Sequence, residues 1–302
     1  MKADRHVGML AAGLALLGLA LGCSESEPAS PAGGGDERPL RILSLTPNVT
    51  EILFAMGLGD KVVGRSTCCD EPPEARALPA VGDTISLDVE KIVALGPTLA
   101  FVVTRQDAPV LRLESLGIRT VALESDTMPE LVESIGRIGR ETGCEPAARH
   151  LLGRIRAELD AVRESVRGRP RPRTLFMFPM TVGSMQVMVA GRGTFVDDLL
   201  EVAGAVNAFP DRANWPAISP QRVIELAPEV ILVHAVDAAP ESDTAVAIRR
   251  AWSNWQSIPA VAAGRVHVLS EPFLTIPGPR VGRAARLLAE TLHPELREEP
   301  RP

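Results

Sequence analysis

The sequence predicts an α/β protein: two lobes of mainly parallel sheet flanked by helices and joined by a single long backbone helix. Three observations within its 302 residues predict this. Apolar runs of strand length alternate with helical periodicities, the pattern of parallel sheet covered on both faces. One long amphipathic helix interrupts the alternation near the middle. The chain on either side of that helix reads as two copies of one pattern.

The long helix runs from Pro146 to Arg167, inside a linking segment of residues 145–168. Ala148, Leu151, Leu152, Ile155, Leu159, Val162 and Val166 recur at steps of three and four, which places them on one stripe. Pro146 suits the first helical position, and Gly168 and Pro170 stop the helix. Arg154 with Glu158, and Arg156 with Asp160, are spaced to pair on the other face. At about 1.5 Å per residue the helix spans roughly 33 Å, the width of a small domain.

Residues 1–22 read as a lipoprotein signal peptide. Lys2, Arg5 and His6 precede an apolar run, Val7 to Leu21, that is too short to span a bilayer comfortably. The run closes on Ala20-Leu21-Gly22-Cys23, which resembles a bacterial lipobox and implies lipidation of Cys23. A plain secretory signal or an anchor helix is the alternative. Residues 23–39 are rich in Pro, Gly and polar side chains and read as a flexible tether, as a membrane-anchored soluble domain needs.

The N-terminal lobe, residues 40–144, opens with a buried strand, Arg41–Leu45, then a helix, Val49–Met56, capped by Asn48 with Glu51 closing a capping box. A strand, Lys61–Gly64, leads into the irregular loop Ser66–Pro73. There follow a helix Leu87–Leu95, a strand Leu99–Val103, a helix Pro109–Leu116, a strand Ile118–Leu123 and a helix Pro129–Glu141. In the C-terminal lobe, residues 169–302, strands are expected at Thr174–Phe178, Met185–Val189 (a hairpin partner of the first), Val230–Val233 and Val266–Leu269. Helices are expected at Phe195–Ala203, Gln221–Leu226 and Pro279–Leu292. The repeat aligns Ser86 and Ile92–Leu99 with Ser219 and Val223–Val230, and Thr50–Gly57 with Val196–Gly204 at one residue of slack. Two such lobes leave a cleft at the carboxyl ends of their strands, where open α/β sheets bind ligands.

Composition narrows the function. A net charge of −6 gives nucleic acid no electrostatic support, and removal of Lys2, Arg5 and Asp4 with the leader takes the chain to about −7. Aromatics are 3% with no Tyr, so a pocket has few rings to use. No Gly-x-Ser-x-Gly elbow, triad spacing or glycine-rich phosphate loop is present, so an enzyme is not expected.

The stretch Arg41–Gly57 resembles the opening of the substrate-binding proteins of ABC importers for vitamin B12, haem and ferric siderophores, the helical-backbone periplasmic binding proteins. Asp70–Ala75, Ile92–Pro97 and Pro277-Gly278-Pro279-Arg280 resemble later pieces of the same family. The resemblance implies a monomeric binder in the periplasm that delivers a small molecule to a permease dimer. It requires no resident cofactor, the ligand being a cobalt- or iron-containing chelate. Within the family the vitamin B12 binders are nearest, since Asn214–Ser219 is similar to their segment carrying a cleft tryptophan, which places Trp215 against the ligand. Three other aromatic positions of those binders correspond to Cys68, about Thr84, and Val103. Haem binders show a Tyr and an Arg where Asp83 and Thr84 stand.

The remaining ligand-binding candidates follow strands or open the first helix: Pro47, Asn48, Cys68, Cys69, Thr84, Arg105, Arg192, His234 and Glu271. Cys68, Cys69 and His234 offer soft donors for a metal centre, or are small loop residues with no ligand role. Arg105 and Arg192 suit a carboxylate or phosphate, and equally a solvated loop. The family docks through one glutamate per lobe, which implies Glu90 in the first lobe and, in the second, Gln221 with Glu225 one turn later. The other readings are a ferric-siderophore or haem binder, and a ligand-poor sensor lipoprotein.

Overall fold

A computed structural model describes residues 39–297 apart from 84–85, 104–106, 180–185, 210, 212–213, 237 and 240. Cys23, the leader, the tether up to Arg38, Thr84 and Arg105 lie outside the described residues.

The first half builds β1 (Ile42–Ser44), α1 (Pro47–Ala55), β2 (Val62–Arg65), α2 (Val89–Leu95), β3 (Leu99–Val103), α3 (Asp107–Ser115), β4 (Arg119–Leu123) and α4 (Met128–Thr142). Its sheet has the order β2-β1-β3-β4 and every pairing is parallel. The linking helix is α5 (Glu145–Ser165). The second half builds β5 (Arg173–Met177), β6 (Val187–Met188), α6 (Phe195–Val202), β7 (Val206–Asn207), β8 (Ala217–Ile218), α7 (Pro220–Leu226), β9 (Val230–His234), α8 (Asp243–Trp252), α9 (Pro259–Ala262), β10 (Val266–Leu269) and α10 (Val281–Leu292). Its main sheet, also parallel, runs β7-β5-β9-β10.

The two sheets share one strand order, with β1, β2, β3 and β4 matching β5, β7, β9 and β10, as an internal repeat demands. The agreement extends to helix ends. Asp88 caps α2 by accepting from Lys91 N, and Ser219 caps α7 by accepting from Arg222 N. Both helices close in the left-handed region, through Gly96 (φ 54°) in one copy and Ala227 (φ 43°) in the other. Ala227 carries a β-carbon into a conformation that glycine adopts freely.

Strands buried on both faces alternate between two cores. Ile42 of β1 and Leu99 and Phe101 of β3 face inward, as do Phe176 of β5 and Val230 and Leu232 of β9. All join one continuous apolar cluster that also holds Leu151, Ile155, Leu159 and Val162 of α5. Leu43, Ala100 and Val102 face a separate outer cluster in the first lobe, and Leu175, Ile231 and Val233 another in the second. The stripe of α5 is therefore the bridge through which two half-cores become one. Close approaches hold it there: a β-carbon on Gly139 of α4 would lie 2.7 Å from Ala148 Cβ, and one on Gly282 of α10 would lie 2.5 Å from Glu158 Cβ.

Several local expectations are corrected. Thr46, not Asn48, is the N-cap of α1, because Pro47 takes the first turn. Asn48 instead donates to Ser125 Oγ, and Glu51 bonds Arg280, so no capping box forms. The ion pairs found on α5 are Asp160–Arg163 and Glu164–Arg167; Glu158 lies over Gly282. Val187–Met188 pairs antiparallel with Ala217–Ile218 in a two-stranded ribbon, and the expected antiparallel pairing with β5 is met at the end of the segment, by the Met177–Val189 bridge and the bonds from Phe178 N to Met188 O and from Ala190 N to Phe176 O. Helices α8 and α9 were not expected from sequence; α8 packs chiefly on β10, where tertiary burial outweighs its weak apolar pattern.

Ala227→Gly should raise the midpoint of chemical unfolding, stabilising by about 0.5–1 kcal/mol, and Gly96→Ala should lower it by a similar amount. Equal midpoints for parent and both variants would contradict the strain assigned to the second copy.

Candidate functional site

A cleft of about 330 Å³ opens between the lobes. The first lobe contributes Thr46, Pro47 and Asn48 from the turn between β1 and α1, Val103 from the end of β3, and Ser125 and Asp126 after β4. These positions lie at or just beyond the carboxyl ends of three parallel strands. The second lobe contributes Phe195 at the start of α6, Trp215 between β7 and β8, and the segment Thr275–Pro277 ahead of α10. The floor is stitched across the lobes: Phe195 N donates to Asp126 O at 2.6 Å, and Met128 N donates to Asp198 Oδ2 at 3.0 Å.

The cleft has one aromatic side. Trp215 lies 5.2 Å from Phe178, centroid to centroid, and meets Phe176 edge-on at 6.4 Å. His234 stacks on Phe176 at 5.9 Å and meets Phe178 at 5.7 Å. The remaining lining mixes apolar Pro47, Val103, Ile276 and Pro277 with polar groups that are mostly uncharged. Asn48 Nδ2 donates to Ser125 Oγ at 3.0 Å, Thr275 adds a hydroxyl, and Asp126 supplies a carboxylate. Thr46 Oγ1 is buried without a hydrogen-bond partner among the described residues. No Lys or Arg occurs among the described residues lining the cleft.

The sequence candidates divide. Pro47, Asn48 and Trp215 line the cleft, as does Val103. Cys68 is exposed on its loop, while Cys69 is fully buried with Sγ 3.6 Å from Ser66 Oγ. Burial pushes the Cys69 thiol up, against the pull of hydrogen bonds from Thr50 and Ser66, so it keeps its proton and is a poor metal donor. His234 is 2% exposed, and its Nε2 donates to Glu271 O at 3.0 Å. Cys68, Cys69 and His234 are therefore not brought together. Among the described residues no group of three or more His, Cys, Asp or Glu side chains is placed to hold a metal ion.

Glu271 serves His234 through its carbonyl and takes Ser270 N on Oε2, outside the cleft lining. Arg192 is exposed, also outside that lining, and its backbone N–H donates to Asp211 O. Glu90 and Gln221 are exposed at matching second positions of α2 and α7, and Glu225 is exposed but paired with Arg222 at 3.0 Å. Thr46, Ser125, Asp126, Phe195 and Thr275–Pro277 line the cleft and were missed. The rule that ligands sit beyond carboxyl strand ends would have found the first three, since each lies within three residues of the end of β1 or β4.

With this geometry in hand, comparison with known proteins is decisive about the family. Residues 42–272 match the periplasmic binding protein family. The chain belongs to the periplasmic binding protein family. It is 28% identical over 268 residues to the Bacillus subtilis protein named uncharacterized ABC transporter substrate-binding lipoprotein YvrC, covering 87% of this chain and 83% of that one. The solved periplasmic vitamin B12 binding protein BtuF of Vibrio cholerae aligns with TM-score 0.69 and 25% identity over 86% of this chain and 98% of that one. The apo periplasmic haem-binding protein RhuT of Roseiflexus sp. RS-1 aligns with TM-score 0.71 and 27% identity over 85% and 99%. Like this periplasmic binding protein, both solved relatives therefore carry the two-sheet fold. No helix among the described residues is long and apolar enough to cross a membrane.

Burial pushes the His234 imidazole below its ordinary range, opposed by the Glu271 carbonyl, and the same direction holds for His267 and His293. The unfolded chain accepts these protons at higher pH than the folded one. The stability contributed by neutral rings is thus full above the ordinary imidazole pKa and is lost as pH falls below it. Thermal unfolding from about pH 7 to 5 should show a falling Tm, with a shallower fall in His234→Phe. Identical slopes would remove His234 from the acid response.

Proposed function

We propose that this chain is the substrate-binding component of an ABC importer and captures a corrinoid, with cobalamin as the reference ligand, for delivery to a permease dimer. The lining of the cleft carries this reading. Trp215, Phe195, Val103 and Ile276 provide apolar contact for a macrocycle, and aromatic side chains give large contact area at low entropic cost. Hydroxyls and one amide face a ligand whose rim bears carboxamides, which donate and accept hydrogen bonds without charge. The unpartnered Thr46 hydroxyl is suited to such a group. Haem, with its two carboxylates, finds no cation among the described lining residues and meets the carboxylate of Asp126 instead.

Only part of so large a ligand enters 330 Å³, so the cleft grips one face or edge. The single continuous core through α5 favours a small change of angle on capture over a wide swing. Docking on the permease uses exposed Glu90 on α2 and the corresponding face of α7. There Gln221 is neutral and Glu225 is already shared with Arg222, so attraction is concentrated on the first lobe. Lipidation of Cys23 anchors the protein at the membrane, in keeping with the lipoprotein name of the Bacillus relative.

Titration with cyanocobalamin should quench tryptophan emission and shift the corrin visible band, while haemin and ferrichrome bind more weakly. Trp215→Ala should weaken cyanocobalamin binding by about 1–2 kcal/mol. Preference for haemin or ferrichrome would transfer the protein to that ligand class, and binding of none would support a sensor. In cells given labelled palmitate, Cys23→Ser should lose the label and leave the membrane fraction; retained label would exclude lipidation there.

A further inference from the structure

The cleft wall Thr275–Pro277 belongs to the second lobe, yet the chain just after it is fastened to the first. Gly278 stands against α1, where a β-carbon would lie 3.6 Å from Glu51 Oε2 and 3.8 Å from Asn48 Cα. Two residues on, Arg280 donates from Nε and Nη2 to the two carboxylate oxygens of Glu51, at 2.8 and 2.6 Å. Such a fork fixes orientation as well as distance. The Arg280 guanidinium also lies 5.3 Å over the Phe273 ring, so it is held from behind. α1 thus lines the cleft with Pro47 and Asn48 and is gripped one turn later at Glu51.

The Glu51 side chain is only 5% exposed. A buried ion pair adds little net stability over an apolar pair of similar volume, so geometry is what this one supplies. A separate cavity of about 370 Å³ lies beyond the pair, lined by Phe54, Glu71, Glu74 and Pro279 among others, and gives a released wall space to move into.

We propose that Glu51 and Arg280 form a positioning latch that clamps the Thr275–Pro277 wall onto α1 and so sets how slowly the cleft releases its ligand. The release half rests on the importer reading above; the clamp does not.

Two variants test it. Glu51→Met/Arg280→Met removes the fork without leaving a lone buried charge, and Arg280→Lys keeps the charge but not the fork. Both should keep a Tm near the parent's. Both should show faster amide exchange across residues 275–281 and a cyanocobalamin off-rate raised about tenfold in the double variant, with the on-rate changed far less. Parental exchange of this segment in both variants would overturn the latch. So would faster exchange with an unchanged off-rate, because the clamp would then not govern release. Parental exchange and a parental off-rate in Arg280→Lys, beside changes in the double variant, would show that charge pairing without the fork suffices and would also overturn it. If the parent binds no cyanocobalamin, the ligand assignment fails, and the exchange measurement still decides the clamp.

Discussion

The structure depends on the packing of one helix against both halves of the chain. Each half covers its sheet with its own helices, and α5 packs on those helices, on α4 from the first half and on α10 and α6 from the second. Leu151, Ile155, Leu159 and Val162 join the two covered sheets, so that Ile42 and Phe101 share a core with Phe176, Leu232 and Leu288. Hydrophobic burial is non-directional and rewards any such merger. What makes this one specific is steric: Gly139 and Gly282 admit the helix to a distance at which a methyl group would not fit. A shared core also limits relative motion, because packed interiors resist continuous deformation.

The cleft follows from that arrangement. Once two parallel sheets are set on one helix, their carboxyl ends and the helix N-termini that follow them converge. Among the described residues that space is furnished by Trp215, Phe195, hydroxyls, an amide and one carboxylate, beside aliphatic and proline side chains. Buried ionisable groups around it are assigned to structure. Burial raises the Glu51 carboxyl against the pull of Arg280, and lowers His234, which serves a carbonyl. The cross-lobe contacts Glu51–Arg280, Phe195–Asp126 and Asp198–Met128 lie where a hinge would otherwise be free.

Much of the fold was legible because its signals are local and periodic. The α5 stripe, the strand runs at Leu99–Val103 and Val266–Leu269, and the stop of α2 at Gly96 each lie within a few residues of what they specify. The duplication was legible for the same reason, and the matched strand orders bear it out. The site was legible only in part. Trp215, named through resemblance, and Pro47 and Asn48, named as opening the first helix, line the cleft, whereas Cys69 and His234 do not. Sequence puts each at a strand end but does not say which side of the strand end is buried. Cys69 turned inward to Ser66 and Ser44, and His234 packed beneath Phe176 and Phe178.

The sequence by itself determined the alternation of strands and helices, the repeat, the single spine and hence two lobes, because hydrophobic periodicity and capping act over short stretches of chain. Only the tertiary structure decided which residues share the cleft, which polar groups are buried, and that Glu51 meets Arg280 across 229 positions rather than closing its own helix. Such contacts join segments whose separation along the chain carries no information about their separation in space. They are chosen by how the whole core packs.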